Sequence, residues 1–139
     1  MRHITIDRTC TGRATTKSGN TIDHAFYISQ ALGTGPHDLL FEDITVDGRG
    51  YLASAFHFDH ADATHPNASN VTVRRLTVTG TQQAVILWDV PLRDITIGYA
   101  DITGALSVAV RYEADGSGIR FANIVSAGSG AGSGYHSSH

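Results

Sequence analysis

Acidic, basic and imidazole side chains that could transfer protons or form ion pairs occur in a few short segments of the 139-residue chain. Two carboxylates that face one groove about 5–10 Å apart can hydrolyse a glycosidic bond, and Asp59 and Glu113 are the candidates. A polysaccharide lyase instead needs a base beside the sugar and a group that neutralises a uronate carboxylate, roles that suit His57 and Arg111. If the protein is an enzyme, we expect its catalytic residues to be Asp59, His57, Arg111 and Glu113.

Side chains suited to binding a sugar lie in the same segments. Aromatic rings stack on the apolar faces of sugar rings, while Asp and His side chains hydrogen-bond the hydroxyls. The candidate substrate-binding residues are Tyr27, Trp88, Asp89 and His60. The alternative interpretation is that these are ordinary solvated side chains of an amphipathic sheet, with Trp88 partly covered by a loop.

A metal site is a weaker hypothesis for the same region. His57, Asp59 and His60, with His65 nearby, are ligand types that bind zinc. In a strand, positions 57 and 59 point to one side and position 60 to the other, which separates the three ligands. We therefore expect no metal and no other cofactor.

An internal repeat must position these residues. Three similar segments, VTVRRLTVTG, DITIGYADITG and GIRFANIVSAG, end at Gly80, Gly104 and Gly128, which are 24 residues apart. An earlier copy, DLLFEDITVDG, ends at Gly48, and a degenerate one ends at Gly12. The alternation of apolar and polar residues predicts two short strands with a corner in each copy. A third strand follows the glycine, as in HAFYIS, SAFHFD, QAVILWD and SVAVRYE.

Aligning the third strands predicts which side chains share a face. We assign two inward columns: Phe26, Phe56, Val85 and Val108, then Ile28, Phe58, Leu87 and Val110. The outward columns are Tyr27, His57, Ile86 and Ala109, then Ser29, Asp59, Trp88 and Arg111. This alignment places Trp88 and Arg111 beside Asp59 and predicts one groove along the outer face.

Three short strands per repeat and a glycine at a fixed corner indicate an all-β parallel β-helix of about five coils. One coil cannot bury its own apolar side chains, whereas stacked coils complete a shared core. A β-sandwich would need hairpin turns between antiparallel strands, and turns of that kind do not separate these segments. We predict a β-helix domain over residues 1–128 and a flexible Gly/Ser-rich tail over residues 129–139.

The pattern xITIxxxxITG followed by AVxLxD resembles the right-handed parallel β-helix proteins of the pectate-lyase-like superfamily. That group includes pectate lyases, polygalacturonases, alginate lyases and epimerases, and phage tailspikes. The resemblance covers roughly residues 3–128. It implies a right-handed helix, a polysaccharide or oligosaccharide ligand and an extracellular location. The Asn-x-Asp, Asp-Asp and Gly-His-Gly motifs of the polygalacturonases do not occur, and the pectate lyase signature is not matched around Arg111, so the resemblance names no catalytic residue.

Composition excludes several other classes of function. The net charge is −3 and the ten Lys and Arg residues are scattered, which argues against binding to nucleic acid. No apolar run approaches the roughly 18 residues needed to cross a bilayer, so we expect no membrane partner. Cys10 is the only cysteine, which excludes an internal disulfide. Because Met1 leads directly into a strand pattern, we expect no signal peptide in this sequence, and the extracellular assignment rests on the resemblance.

Two classes of function stay open at this point. The first is a polysaccharide lyase or glycoside hydrolase. The second is a non-catalytic sugar-binding or structural β-helix module that assembles into oligomers. We expect a homo-oligomer, a dimer or trimer, because an uncovered coil exposes unpaired backbone and apolar side chains.

Overall fold

The computed structural model describes residues 1–7, 23–29, 35–58, 68–88, 92–113, 116–128 and 135–137. These ranges contain eleven β-strands and no helix, and hence no helix that is long and apolar enough to cross a membrane. The strands are β1 Arg2–Asp7, β2 His24–Ile28, β3 His37–Asp47, β4 Ser54–Phe58, β5 Ser69–Thr79, β6 Val85–Trp88, β7 Leu92–Thr103, β8 Val110–Glu113, β9 Gly116–Ser117, β10 Arg120–Ala127 and β11 Tyr135–Ser137.

The strands form two parallel sheets whose strand orders follow the chain. The first sheet has the order β1-β3-β5-β7-β10, with the short β9 pairing β7. The second sheet has the order β2-β4-β6-β8-β11. Every pairing is parallel. The prediction of an all-β protein built from parallel strands is confirmed.

In-register columns of apolar side chains link the strands of the first sheet. Val71 pairs with Ile95, and both side chains are fully buried, as the sequence predicts. Ile119, predicted to extend this column, is partly buried against the same core. Stacked β-branched and aliphatic side chains of this kind are the unit that stabilises a sheet.

One residue in the left-handed conformation replaces each predicted corner inside the repeat. We predicted two short strands there, but β3, β5 and β7 run unbroken for 11, 11 and 12 residues. Asp43, Arg75, Tyr99 and Asn123 have φ between 53° and 55° and occupy equivalent positions. Each of these residues adds one position between two inward side chains, so that Phe41 and Ile44 are three residues apart rather than two. The strand then continues, with its alternation of inward and outward side chains shifted by one residue.

The two sheets share one hydrophobic core. Phe26 from β2, Phe41 from β3 and Phe56 from β4 form an aromatic cluster in the core. The centroid of the Phe41 ring lies 5.3 Å from that of Phe26 and 5.1 Å from that of Phe56. These edge-to-face contacts join the second sheet to the first, because Phe41 belongs to the first sheet and the other two rings to the second.

The register of β8 differs from our alignment by two residues. Val85 pairs with Val110, and Ile86 pairs with Arg111. We had aligned Val85 with Val108 and Ile86 with Ala109; Ala109 is buried rather than outward. Val110 lies six positions after Gly104, whereas Val85 lies five after Gly80, so the turn before β8 is one residue longer.

A short strand lies within the segment predicted as a flexible tail. Residues Tyr135–Ser137 form β11, which pairs with β8 through Tyr135 and Val110. The other residues of that segment lie outside the described part of the chain. The division of the chain at residue 128 therefore stays a prediction.

Candidate functional site

Three of the predicted site residues lie in one row across the second sheet. Tyr27 pairs with His57, His57 with Ile86, and Ile86 with Arg111. Neighbouring strands are about 4.8 Å apart, so the row from Tyr27 to Arg111 spans about 14 Å of backbone. Arg111 therefore continues the row of His57, whereas our alignment had placed it beside Trp88.

An exposed tyrosine ring packs on two imidazoles at one end of this row. Tyr27 is 54% exposed. Its ring centroid lies 5.6 Å from the ring of His24 and 5.2 Å from the ring of His57. The two imidazoles are themselves 4.3 Å apart in an edge-on arrangement. The ring of Tyr27 is thus both accessible and held by contacts on its inner side.

A hydrogen-bonded chain of three side chains runs beneath Tyr27. His24 Nδ1 lies 2.9 Å from Ser54 Oγ, and His24 Nε2 lies 3.0 Å from His57 Nδ1. Two arrangements of the protons satisfy both hydrogen bonds among these three side chains. Either His57 Nδ1–H donates to His24 and His24 Nδ1–H donates to Ser54, or the Ser54 hydroxyl donates to His24 and His24 Nε2–H donates to His57.

His57 lies below the surface rather than on it. Its exposed fraction is 5%, and Ser54 is fully buried. The sequence predicts His57 on an accessible outer face, because alternation puts it beside Tyr27. Its position beside Tyr27 is as expected, but its ring is covered, so a polymer chain has little access to it in this conformation.

Arg111 and Glu113 form an ion pair on β8. Arg111 Nη2 donates to Glu113 Oε2 at 2.6 Å, and both side chains are partly buried. Positions 111 and 113 point to the same side of the strand. Glu113 pairs in register with Trp88 of β6, so the backbone positions of these two predicted site residues are adjacent.

The remaining predicted site residues are Asp59, His60 and Asp89, and they lie outside the described residues. Their catalytic or binding roles stay predictions, as does the role of Trp88, of which only the backbone position is described. Among the described residues, no group of three or more His, Cys, Asp or Glu side chains is placed to hold a metal ion.

Sequence reasoning missed His24 and Ser54. Each is the first residue of its strand, in the segments HAFYI and SAFHF, and the two pair in register. The column alignment that placed Tyr27 beside His57 would have placed these two side by side. Neither residue type stood out, because a serine and a histidine at the start of a strand are common at solvated positions.

A second polar cluster crosses the outer face of the first sheet. Glu42 lies at its centre and is 4% exposed. Its Oε2 lies 2.8 Å from Arg2 Nε, and its Oε1 accepts a hydrogen bond from Arg74 Nε at 2.7 Å. Arg75 bonds both Glu42 and the neighbouring Asp43. The cluster joins β1, β3 and β5.

These contacts keep the two carboxylates of the cluster ionised. The hydrogen bond from Arg75 holds the pKa of Glu42 below its ordinary value, and it does the same for Asp43. The two carboxylates in turn raise the pKa of Arg75. Because both carboxylates are bound to guanidinium groups, the cluster is a network between strands rather than an open acid–base pair.

Comparisons of the sequence and the structure with protein-family models, with curated proteins and with solved structures found no match. The functional assignment therefore depends on the sequence resemblance and on the geometry of the outer faces.

Proposed function

We propose that this chain is a right-handed parallel β-helix that binds a polysaccharide or oligosaccharide along the outer face of its second sheet. Three observations support the β-helix. All pairings are parallel, the strands of each sheet follow one another in chain order, and one core lies between the sheets. The resemblance to pectate-lyase-like proteins provides the handedness and the class of ligand.

The exposed ring of Tyr27 is the observation that carries the proposal. A tyrosine that is more than half exposed, with its ring in contact with two imidazoles, offers a stacking surface for the apolar face of a sugar ring. Arg111 and Glu113, at the far end of the same face, provide hydrogen-bonding groups suited to hydroxyls or to a uronate carboxylate.

The described residues favour binding over turnover. His57 is covered, and the carboxylate of Glu113 is bound to Arg111. A glycosidase needs carboxyl groups that face the sugar, so these two residues are poorly placed for that role. The enzyme alternative depends on Asp59, and it predicts new reducing ends or unsaturated sugar products.

We also propose an extracellular location and self-association. The location follows from the class of protein that the sequence resembles. Self-association is supported by partly exposed apolar side chains on two edge strands of the first sheet, Ile4 and Ile6 on β1 and Phe121 and Ile124 on β10. Sedimentation at micromolar concentration tests this proposal, and a clean monomer would contradict it.

The test of sugar binding is an affinity measurement against a panel of pectic, alginate and glucan polymers. We expect Tyr27→Ala to weaken the best interaction about 2- to 12-fold, the loss of one aromatic contact of roughly 0.5–1.5 kcal/mol. Tyr99→Asn is the matched control, because it removes a 65% exposed tyrosine from the other sheet. It should leave the affinity unchanged.

Two outcomes would count against this proposal. Absence of binding to every polymer at millimolar sugar concentration would contradict it, and so would an equal loss in both variants. The same samples are assayed for reducing ends and for the absorbance of unsaturated products. Turnover by the wild type that disappears in Asp59→Asn would show that the protein is an enzyme rather than a non-catalytic binding module.

A further inference from the structure

We propose that the Ser54–His24–His57 chain is a proton-sensitive switch beneath Tyr27, which releases the sugar ligand at mildly acidic pH. The release of ligand rests on the proposed function, whereas the switch rests on the geometry of the three side chains alone. A ligand affinity that depends on pH would be a regulatory property beyond the sugar binding proposed above.

The contact between the two imidazoles limits how many protons the chain can hold. His24 Nε2 and His57 Nδ1 are 3.0 Å apart, so one nitrogen must donate and the other must accept. A first added proton fits at His24, which then donates from Nε2 to His57 and from Nδ1 to Ser54. A second proton, on His57 Nδ1, would place two N–H groups against each other and break the contact.

Burial adds to this limit. His57 is 5% exposed and Ser54 is fully buried, so a second positive charge would be held away from water. Removing a charged group from water disfavours its charged form. His24 is already partly exposed, so the doubly protonated pair is stable only if the imidazoles separate and His57 also reaches solvent.

The described groups nearest the pair in the sheet differ between its two sides. On the β2 side these are Tyr27 and Asp23, the latter immediately before the strand. On the β6 side, His57 pairs with the apolar Ile86. Beyond it Arg111 carries a like charge, compensated by Glu113. Among these described groups, Asp23 favours a cation, and it adjoins His24, where the first proton fits.

Separation of the imidazoles would move Tyr27. Its ring contacts both of them, at centroid distances of 5.6 Å from His24 and 5.2 Å from His57. If the pair opens, the surface that holds the tyrosine ring changes shape. A sugar stacked on that ring would then lose its platform, so acidification should release it.

The test is an NMR titration of the histidine and tyrosine ring signals of the full chain without ligand. Histidine ordinarily titrates near pH 6.5, so the range runs from about pH 8 to 4.5. We expect one histidine of the pair to titrate before the other. The second should titrate together with a shift of the Tyr27 ring signals. Independent titration of both histidines with no response from Tyr27 would overturn the switch.

Ligand affinity is measured over the same range with the best polymer of the panel. We expect the affinity to fall by about 2- to 12-fold between pH 7.5 and 5, which is the size of a lost aromatic contact. His24→Phe keeps a ring under Tyr27 but removes the titrating contact, so its affinity should not vary with pH. His37→Asn, at an exposed histidine of β3, is the control and should behave as the wild type does.

The outcomes separate the two proposals. Coupled titration without sugar binding would contradict the proposed function and support the switch. Sugar binding that does not vary with pH, with histidines that titrate independently, would contradict the switch and leave the proposed function standing. If His24→Phe fails to fold, the titration of the wild type decides.

Discussion

The backbone of this chain is distinctive in the number of non-glycine residues that adopt the left-handed conformation. Nine non-glycine residues in the described ranges have positive φ, and most of them stack in equivalent positions of successive repeats. Asp38, Asn70 and Asp94 form one such column with Gly118. Asp and Asn tolerate this conformation because their short side chains hydrogen-bond locally. Tyr99 belongs to the column of Asp43 and Asn123 but has no such property.

Replacing Tyr99 by asparagine should therefore stabilise the protein. A bulky residue in the left-handed region costs roughly 1–2 kcal/mol, of which asparagine should recover about 0.5–1 kcal/mol. Urea denaturation measures the difference. Tyr27→Asn, at an exposed tyrosine of β2 that has no positive φ, is the control and should show no gain. A less stable Tyr99→Asn protein would show that its ring has a packing role.

The Arg75 cluster should make stability fall in acid. The pKa values of Glu42 and Asp43 are lowered in the folded protein. The ionised carboxylates therefore stabilise the fold above their ordinary pKa, and this stabilisation is lost as the pH falls through the lowered values. Because Arg75 is the first cause of both shifts, Arg75→Gln should give a shallower decline of the melting temperature below about pH 5.

Arg120→Gln is the matched control for that measurement. Arg120 is an exposed arginine on β10 of the same sheet, away from the cluster. It should keep the acid dependence of the wild type. Identical curves for the wild type and Arg75→Gln would show that the cluster contributes nothing to the pH dependence.

At the scale of the strands, a turn glycine and a strand glycine differ sharply in the space they leave for a side chain. A Cβ atom on Gly48 would lie 2.6 Å from the carbonyl oxygen of Gly80, which is backbone and cannot move aside easily. A Cβ atom on Gly98, in the middle of β7, would meet only the carbonyl oxygen of Ala122 at 3.8 Å. Gly98 has no positive φ.

Gly48→Ala and Gly98→Ala should therefore have very different effects on stability. We expect a loss of at least about 2 kcal/mol for Gly48→Ala, because the two turns must separate. We expect Gly98→Ala to be neutral or to gain up to roughly 1 kcal/mol, since alanine restricts the unfolded chain. Denaturant unfolding of both variants makes the comparison, and equal effects would mean that the turns are not in close contact.

The sequence predicted the sheets better than it predicted the strand limits and register. The alternating apolar residues predicted the Val71–Ile95 pair, because stacking the repeats in parallel buries the equivalent apolar side chains of successive repeats together. The register of β8 was not visible, since Val108 and Val110 have the same alternation and a slip of two residues keeps every side chain on its face. The single left-handed residue inside β3 or β5 shifts the alternation by one position, and hydrophobicity alone does not distinguish this shift from a corner between two strands.

The candidate site was predicted only in part, for similar reasons. Tyr27 and His57 were placed side by side correctly, because neither depends on the turn before β8. Arg111 does depend on that turn, and it was assigned the wrong neighbour. The hydrogen bonds from His24 were missed because they are set by side-chain geometry rather than by alternation.

At the scale of the whole molecule, the aromatic cluster holds the two sheets together. Phe56 is fully buried and contacts Phe26 within its sheet and Phe41 across the core. Phe56→Ala should cost about 3–5 kcal/mol, the usual penalty for a large core cavity. Val125→Ala, at a 62% exposed position on β10, is the control and should cost under about 0.5 kcal/mol. Similar losses in chemical denaturation would show that the sheets do not share this core.

The most direct test of the central claim is an NMR titration of the protein with the oligosaccharide of the best-binding polymer, because it locates the ligand. We expect backbone and side-chain signals of Tyr27, His24 and Arg111 to shift with a common saturation curve. Signals of the first sheet, such as those of Tyr99 and Thr77, should stay in place. Shifts confined to the first sheet, or none at saturating polymer, would contradict a sugar-binding role for the outer face of the second sheet.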